Sequence, residues 1–393
     1  IKRGITFLFD VINENSEKFI IAIKAYLKCD TPLSNYISNK IPILIKLIGI
    51  EETKKIIFNC ENKQKNSWIY EFLFCIPIEK RTLDYANLLR KIFEDEIKNE
   101  YPMIPNIQFI ALYKGIDKNI VCDLAYKLLG ISSPSKSYVI KSFLEYGLNE
   151  NSANMILDIF EEDINLLKDL YLSAIECNID YQGHLFIRLV ENNMNFLEEF
   201  AKKIMSINNK DYHINKFMRL WEQENYHELI KIYFDTIVGS KEYMHLFMYE
   251  NNLEKIFVST TNSSRIINDR KISWIKSYIK TNYDNIQFLN LILQVVISTL
   301  QDYMEEIVLY FIDINKNIDI FKALELFPTL KSWSGSEVNV IEKEIIFLNK
   351  LMDSINGIDY IEHKAYLKEL ISNKEKYKQQ VLVREYLEDI DLS

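Results

Sequence analysis

The chain has 393 residues, 48% hydrophobic and 13% aromatic, which is ample material for a large core and excludes long disordered spans. Only 9 Gly and 7 Pro are present, too few for the many tight turns of a strand-rich fold, so the composition points to helices joined by short polar connections. The formal net charge of −9 opposes non-specific binding to DNA or to an anionic membrane surface.

Residues 5–27 read as helices broken at Asn13-Glu14-Asn15. Pro32 and Pro42 stand where helices begin, since the first turn has no use for the N–H that proline lacks. Residues 41–48 form a short apolar helix ended by Gly49, and residues 51–58 a second one. Ser67 opens a helix carrying Trp68, Phe72 and Cys75, which Pro77 stops. Residues 81–98 are amphipathic, with Leu83, Leu88, Ile92 and Ile97 among the apolar positions. Pro102 and Pro105 mark a first boundary, and residues 130–137, rich in serine, mark a second connector.

From residue 135 to 327 the pattern becomes one of paired helices. Four segments share a helix, a break at a Glu/Asn cluster and a second helix. They turn at Glu145, at Glu191-Asn192-Asn193, at Glu222 to Asn225, and at Glu250-Asn251-Asn252. Two of them begin alike, as His184-Leu185-Phe186 and His245-Leu246-Phe247. Asn tolerates the left-handed conformation that ends a helix, and its side chain caps the next one. A lone helical hairpin cannot bury its apolar faces, so such units stack. The turns fall 46, 31 and 28 residues apart, which suits a degenerate array and no fixed-period family.

After residue 336 the period changes. Ile341, Ile345, Leu348, Met352 and Ile355 are spaced 4, 3, 4 and 3, the seam of a helix packed lengthwise on a partner. Asn356-Gly357 breaks it, and a return helix carries Tyr366, Leu370, Tyr377 and Val381 to about residue 390. The expected fold is therefore all-α. Stacked helical hairpins form a degenerate α-solenoid of the TPR or HEAT style, closed by a long antiparallel hairpin. The expected divisions are an N-terminal helical bundle over 1–104, a helical-repeat array over 105–330 and the hairpin over 331–393.

Chemical signatures are sparse. Neither the phosphate loop G-x-x-x-x-G-K-[ST] nor G-x-G-x-x-G occurs. His227-Glu228 starts like a zinc-protease helix, but position 231 is Lys, so the second ligand is missing. Asp84 with Glu96-Ile97-Lys98 loosely matches a metal-nuclease set, yet both carboxylates fall on one expected helix and not on the strand pair that chemistry needs. The five cysteines have no C-x-x-C spacing and read as reduced thiols of a cytoplasmic protein. No catalytic residue, metal ligand or cofactor is assigned, and no run is apolar enough to span a membrane.

Two features invite a partner. Residues 263–280 hold Arg265, Arg270, Lys271, Lys276 and Lys280 against Asp269 alone, a candidate surface for phosphate or an acidic partner. Trp333 sits in the turn Ser332-Trp333-Ser334-Gly335, a candidate partner contact.

Residues 333–338, then Ile341-Glu342-Lys343 and Tyr360-Ile361-Glu362-His363-Lys364-Ala365-Tyr366-Leu367, make the end of the chain resemble the C-terminal helical regions of large bacterial antiviral STAND-type NTPases. The resemblance covers about the last 60 residues and the paired-helix style before them. It implies a sensor or scaffold arm that grips a protein ligand, with any catalysis and oligomerisation in other parts of a longer polypeptide. The start at Ile1 rather than Met accords with that expectation. The expected function is thus protein recognition, not catalysis, with a stand-alone peptide-binding regulator or a nucleic-acid-binding helical array as the alternatives.

Overall fold

In a computed structural model of the chain, the described residues are 7, 9, 11–12, 16–28, 40–60, 65–100, 102–145, 148–207, 213–239, 253–258, 265–327 and 335–391. Among them every regular element is helical and no strand occurs. The repeat copy at residues 245–252, Pro32 and Trp333 lie outside the described residues. The chain divides into two compact units, residues 1–196 and 197–393.

The first unit begins with α1 (Ser16–Leu27) and α2 (Ile41–Phe58). Pro42 occupies the first turn of α2 as expected. Gly49 interrupts that span with φ 83° and ψ 170°, a conformation open in practice to glycine alone, so two short helices stand on either side of the break that the sequence places at Gly49. The Thr53 hydroxyl donates to the Gly49 carbonyl at 2.7 Å. α2 packs on α3 (Lys65–Cys75), which buries Trp68 and Phe72. In α4 (Leu83–Glu96) the buried face is Tyr85, Ala86, Leu89, Ile92 and Phe93. Leu83 is exposed and Leu88 only half-buried, because the helix is rotated from the expected setting.

Next come α5 (Ile107–Ala111), α6 (Ile120–Leu129), α7 (Lys136–Leu144), α8 (Glu150–Ile159), α9 (Ile164–Ser173) and α10 (His184–Asn192). A helix repeatedly lies against the one two further on: α4 on α6, α7 on α9, and α8 on α10. That is the neighbour pattern of stacked helical pairs. Asn149 forms a reciprocal capping box with Ser152 at the start of α8, the role expected of asparagine at a repeat turn. α10 is capped differently. Asp180 is fully buried, and its carboxylate accepts the backbone N–H groups of His184 (3.0 Å) and Phe186 (2.7 Å) and the Tyr171 hydroxyl (3.3 Å).

The second unit takes in most of α11 (Asn195–Met205), then α12 (Ile214–Glu222), α13 (Tyr226–Gly239), α14 (Arg265–Thr281), α15 (Ile286–Thr299), α16 (Met304–Ile314) and α17 (Ile318–Lys322). The break between α12 and α13 falls at Gln223-Glu224-Asn225, where the sequence places it. α14 packs on α16, and α16 on α18 (Glu337–Ser354).

α18 and α19 (Ile361–Asp391) form the long C-terminal helix pair. Ile341, Ile345 and Leu348 are buried, so the seam of α18 stands. The return helix is corrected. Its buried positions are His363, Leu367 and Val381, whereas Tyr377 is exposed and Tyr366 half-buried. Between Leu367 and Val381 the half-buried Ile371 continues the apolar seam, and ion pairs accompany it, with Lys374 on Glu344 and Lys378 on Glu342. At the far end the Glu385 carboxylate accepts from Ser336 Oγ (2.6 Å) and from the Glu337 N–H (2.8 Å). The end of α19 thereby caps the start of α18.

Candidate functional site

The basic stretch is dismantled by the fold. Arg270 Nη1 donates to the carbonyls of Trp221 (2.6 Å) and Gln223 (3.0 Å), and its guanidinium lies over the Tyr226 ring. It thereby closes the C-terminal end of α12, where unpaired carbonyls and the negative end of the helix dipole attract a cation. Lys271 is not on the surface at all. Its ammonium is buried and donates to the carbonyls of Phe257 (3.0 Å) and Val258 (3.1 Å). Burial lowers this ammonium from its usual 10.5 to about 8, so it still carries charge at neutral pH.

Lys276 pairs with Glu306 at 2.6 Å and lies over the Tyr310 ring. Arg265 and Lys280 are exposed. Lys276 and Lys280 do line a common groove of about 510 Å3 between α14 and α16, but Asp269 and Glu306 line it too, so its fixed charges cancel. The five cations therefore do not converge on one phosphate-sized site. Trp274 is core, stacked on Tyr278 with its indole N–H on the His227 carbonyl.

Elsewhere the cations show the same use. Lys114 donates to the carbonyls of Asp158 and Ile159 at the end of α8, Lys136 to Leu129 at the end of α6, and Lys141 to Cys177. Among the described residues no group of three His, Cys, Asp or Glu side chains could hold a metal ion. Asp84 is exposed while Glu96 is buried and hydrogen-bonded, so that pair does not converge.

A concave surface that the sequence reading did not single out lies in the first unit. It is a groove of about 680 Å3. One wall is a single face of α3: Ser67, Tyr70, Glu71 and Phe74, at i, i+3, i+4 and i+7. The other wall is the connector from Met103 to Asn106 with Gln108, Phe109 and Leu112, and Met155 of α8 contributes a side chain. Of the two prolines read as a boundary, Pro105 lines this groove, within the first unit.

The walls are held rigidly. Arg81 donates to the carbonyls of Phe74 (3.5 Å) and Ile76 (3.1 Å) at the end of α3, and to that of Leu112 (3.0 Å) at the end of α5. One guanidinium thus ties the two walls together. The Tyr113 hydroxyl donates to the Leu73 carbonyl at 2.8 Å, under the same guanidinium. At the other end the buried Glu96 carboxylate accepts from Asn66 of α3, from Asn99 and from the Met103 N–H. Asn106 caps α5 by accepting the Phe109 N–H. Phe109 meets Phe74 (5.7 Å) and Tyr70 (6.4 Å) at the groove floor.

Within this frame Phe74 is 53% exposed, Met103 51% and Met155 37%, a cluster of large apolar side chains that solvation alone does not favour. Glu71 is the one charged side chain of the lining. It is half-buried, and burial raises its carboxyl above the usual range. No family model, curated protein or solved structure matches this chain.

Proposed function

We propose that this region recognises a protein partner, and that the groove between α3 and α5 is where contact is made. The observation that supports this most directly is the exposure of Phe74, Met103 and Met155 along a concave face whose backbone is braced by Arg81 and Glu96. A braced apolar groove lets a partner bury surface without first ordering the site. Exposed methionine suits such a site, because its flexible thioether adapts to the incoming side chain. The reading is binding rather than catalysis. In the larger setting drawn from the C-terminal resemblance, the region is the sensor or scaffold arm of a longer bacterial cytoplasmic protein, in antiviral defence.

The test is a photo-crosslinking residue at position 74, with the captured protein identified, purified and titrated against the chain by calorimetry. Phe74→Ser is expected to weaken that complex at least tenfold, about 1.4 kcal/mol or more. Its thermal unfolding should stay close to that of the parent, because Phe74 is half outside the core. A partner that binds Phe74→Ser as tightly as the parent overturns the assignment.

A further inference from the structure

The groove carries one charge, and that charge is unanswered. The Glu71 carboxylate has no hydrogen bond and no ion pair among the described residues. This sets it apart from Glu96, the carboxylate that braces the end of the groove, which is hydrogen-bonded three times. Its neighbours in the lining are apolar or neutral, so no cation of the groove itself balances it. A half-buried carboxylate in apolar surroundings is poorly solvated, and an incoming cation gains from both the charge and the hydrogen bond. Gln108, also in the lining, adds a neutral amide able to donate and accept.

Resting on the recognition reading above, we infer that the groove's occupant is an amphipathic helical segment of a partner protein, whose apolar side chains lie on Phe74, Met103, Phe109 and Met155 and whose single Lys or Arg pairs with Glu71. The volume of about 680 Å3 is that of a site for a few side chains, within the roughly 300–1,000 Å3 of known pockets. The face that receives them, residues 67, 70, 71 and 74, runs along two turns of α3, so the matching apolar stripe on the segment is spaced i, i+3 or i+4, and i+7. An acidic residue at the same point would set two carboxylates together in a low-dielectric cleft and would be rejected.

The test uses two designed helical peptides that share a leucine stripe and differ at one position, lysine in one and norleucine in the other. Binding to the full chain is followed by the labelled methyl resonances of Met103 and Met155, assigned through Met103→Leu and Met155→Leu. The expected result is a shift of both resonances, at least tenfold tighter binding of the lysine peptide, and loss of that preference in Glu71→Gln. Because the charge is also varied on the peptide, the comparison survives even if Glu71→Gln does not fold. Equal affinities of the two peptides, with both methionines shifting, overturn the role of Glu71 and leave the recognition groove standing. Failure of both peptides to move Met103 and Met155, or movement of other methionines instead, overturns the groove reading and this inference together.

Discussion

Replacing Lys271 by alanine separates a structural cation from a binding one. Lowering the ammonium from 10.5 to about 8 corresponds to a net of about 3 kcal/mol held against the charged form, at roughly 1.4 kcal/mol per pH unit. The two hydrogen bonds to the Phe257 and Val258 carbonyls are what keeps the buried ammonium charged at neutral pH. Truncation removes the donors but leaves the Phe257 carbonyl inside, and it also strips the packing of the lysine stem. The expected net loss is about 2–4 kcal/mol. In a unit of residues 197–393 each kcal/mol lowers Tm by about 2–4 °C, so the relevant transition should fall by roughly 5–15 °C. Lys280→Ala, at an exposed position of the same helix, should stay within about 0.5 kcal/mol. Differential scanning calorimetry of the two variants, with anisotropy titrations of labelled duplex DNA at two salt concentrations, makes the measurement. Parent-like stability in Lys271→Ala, combined with weaker and less salt-dependent DNA binding, would refute the structural assignment and restore the basic surface.

Two further outcomes are expected. Leu348 is wholly buried in the seam of α18, so Leu348→Ala should cost about 2–5 kcal/mol. Leu348→Asp should free the helix pair, seen as loss of amide-exchange protection over residues 337–391; protection equal to the parent's would rule out the packing described. His213 is buried, and burial with the neighbouring Lys216 lowers it from 6.5 to about 3. Between those values the unfolded chain binds the extra proton, so the contribution is complete above pH 6.5 and is lost as pH falls, reaching about 2 kcal/mol at pH 5. His213→Phe, still an aromatic ring against Phe200, should flatten the acid limb of the stability curve; superimposable acid limbs would exclude His213 as the cause.

The groove was partly legible. Ser67, Tyr70, Glu71 and Phe74 share a helical face by spacing alone, and an aromatic pair flanking a lone glutamate is visible on that face. What spacing does not say is that residues 103–112 fold back against it, because Arg81 and Glu96 reach across gaps of 31 and 30 residues to fix the walls. The fate of the basic stretch was legible too. Ile267, Lys271, Ile275 and Ile279 step by four along one stripe, so Lys271 lies on the apolar face of its own helix.

By itself the sequence determined the elements. Scarce Gly and Pro, the 3.6-residue period, Asn at the turns and the 4-3-4-3 seam are local properties of the chain, and they produced an all-helical chain of pairs with a long final one. The tertiary structure decided which side chains meet. Helix C-termini present carbonyls that something must satisfy, and here Arg81, Lys114, Lys136, Arg270 and Lys271 do so across the fold. Charge that looks available along the chain is thereby consumed inside it. The carboxylate of Glu71, which no such end requires, is left facing a groove. Local patterning sets helices because their hydrogen bonds close within four residues; a binding surface depends on pairings between residues far apart, which no window of sequence contains.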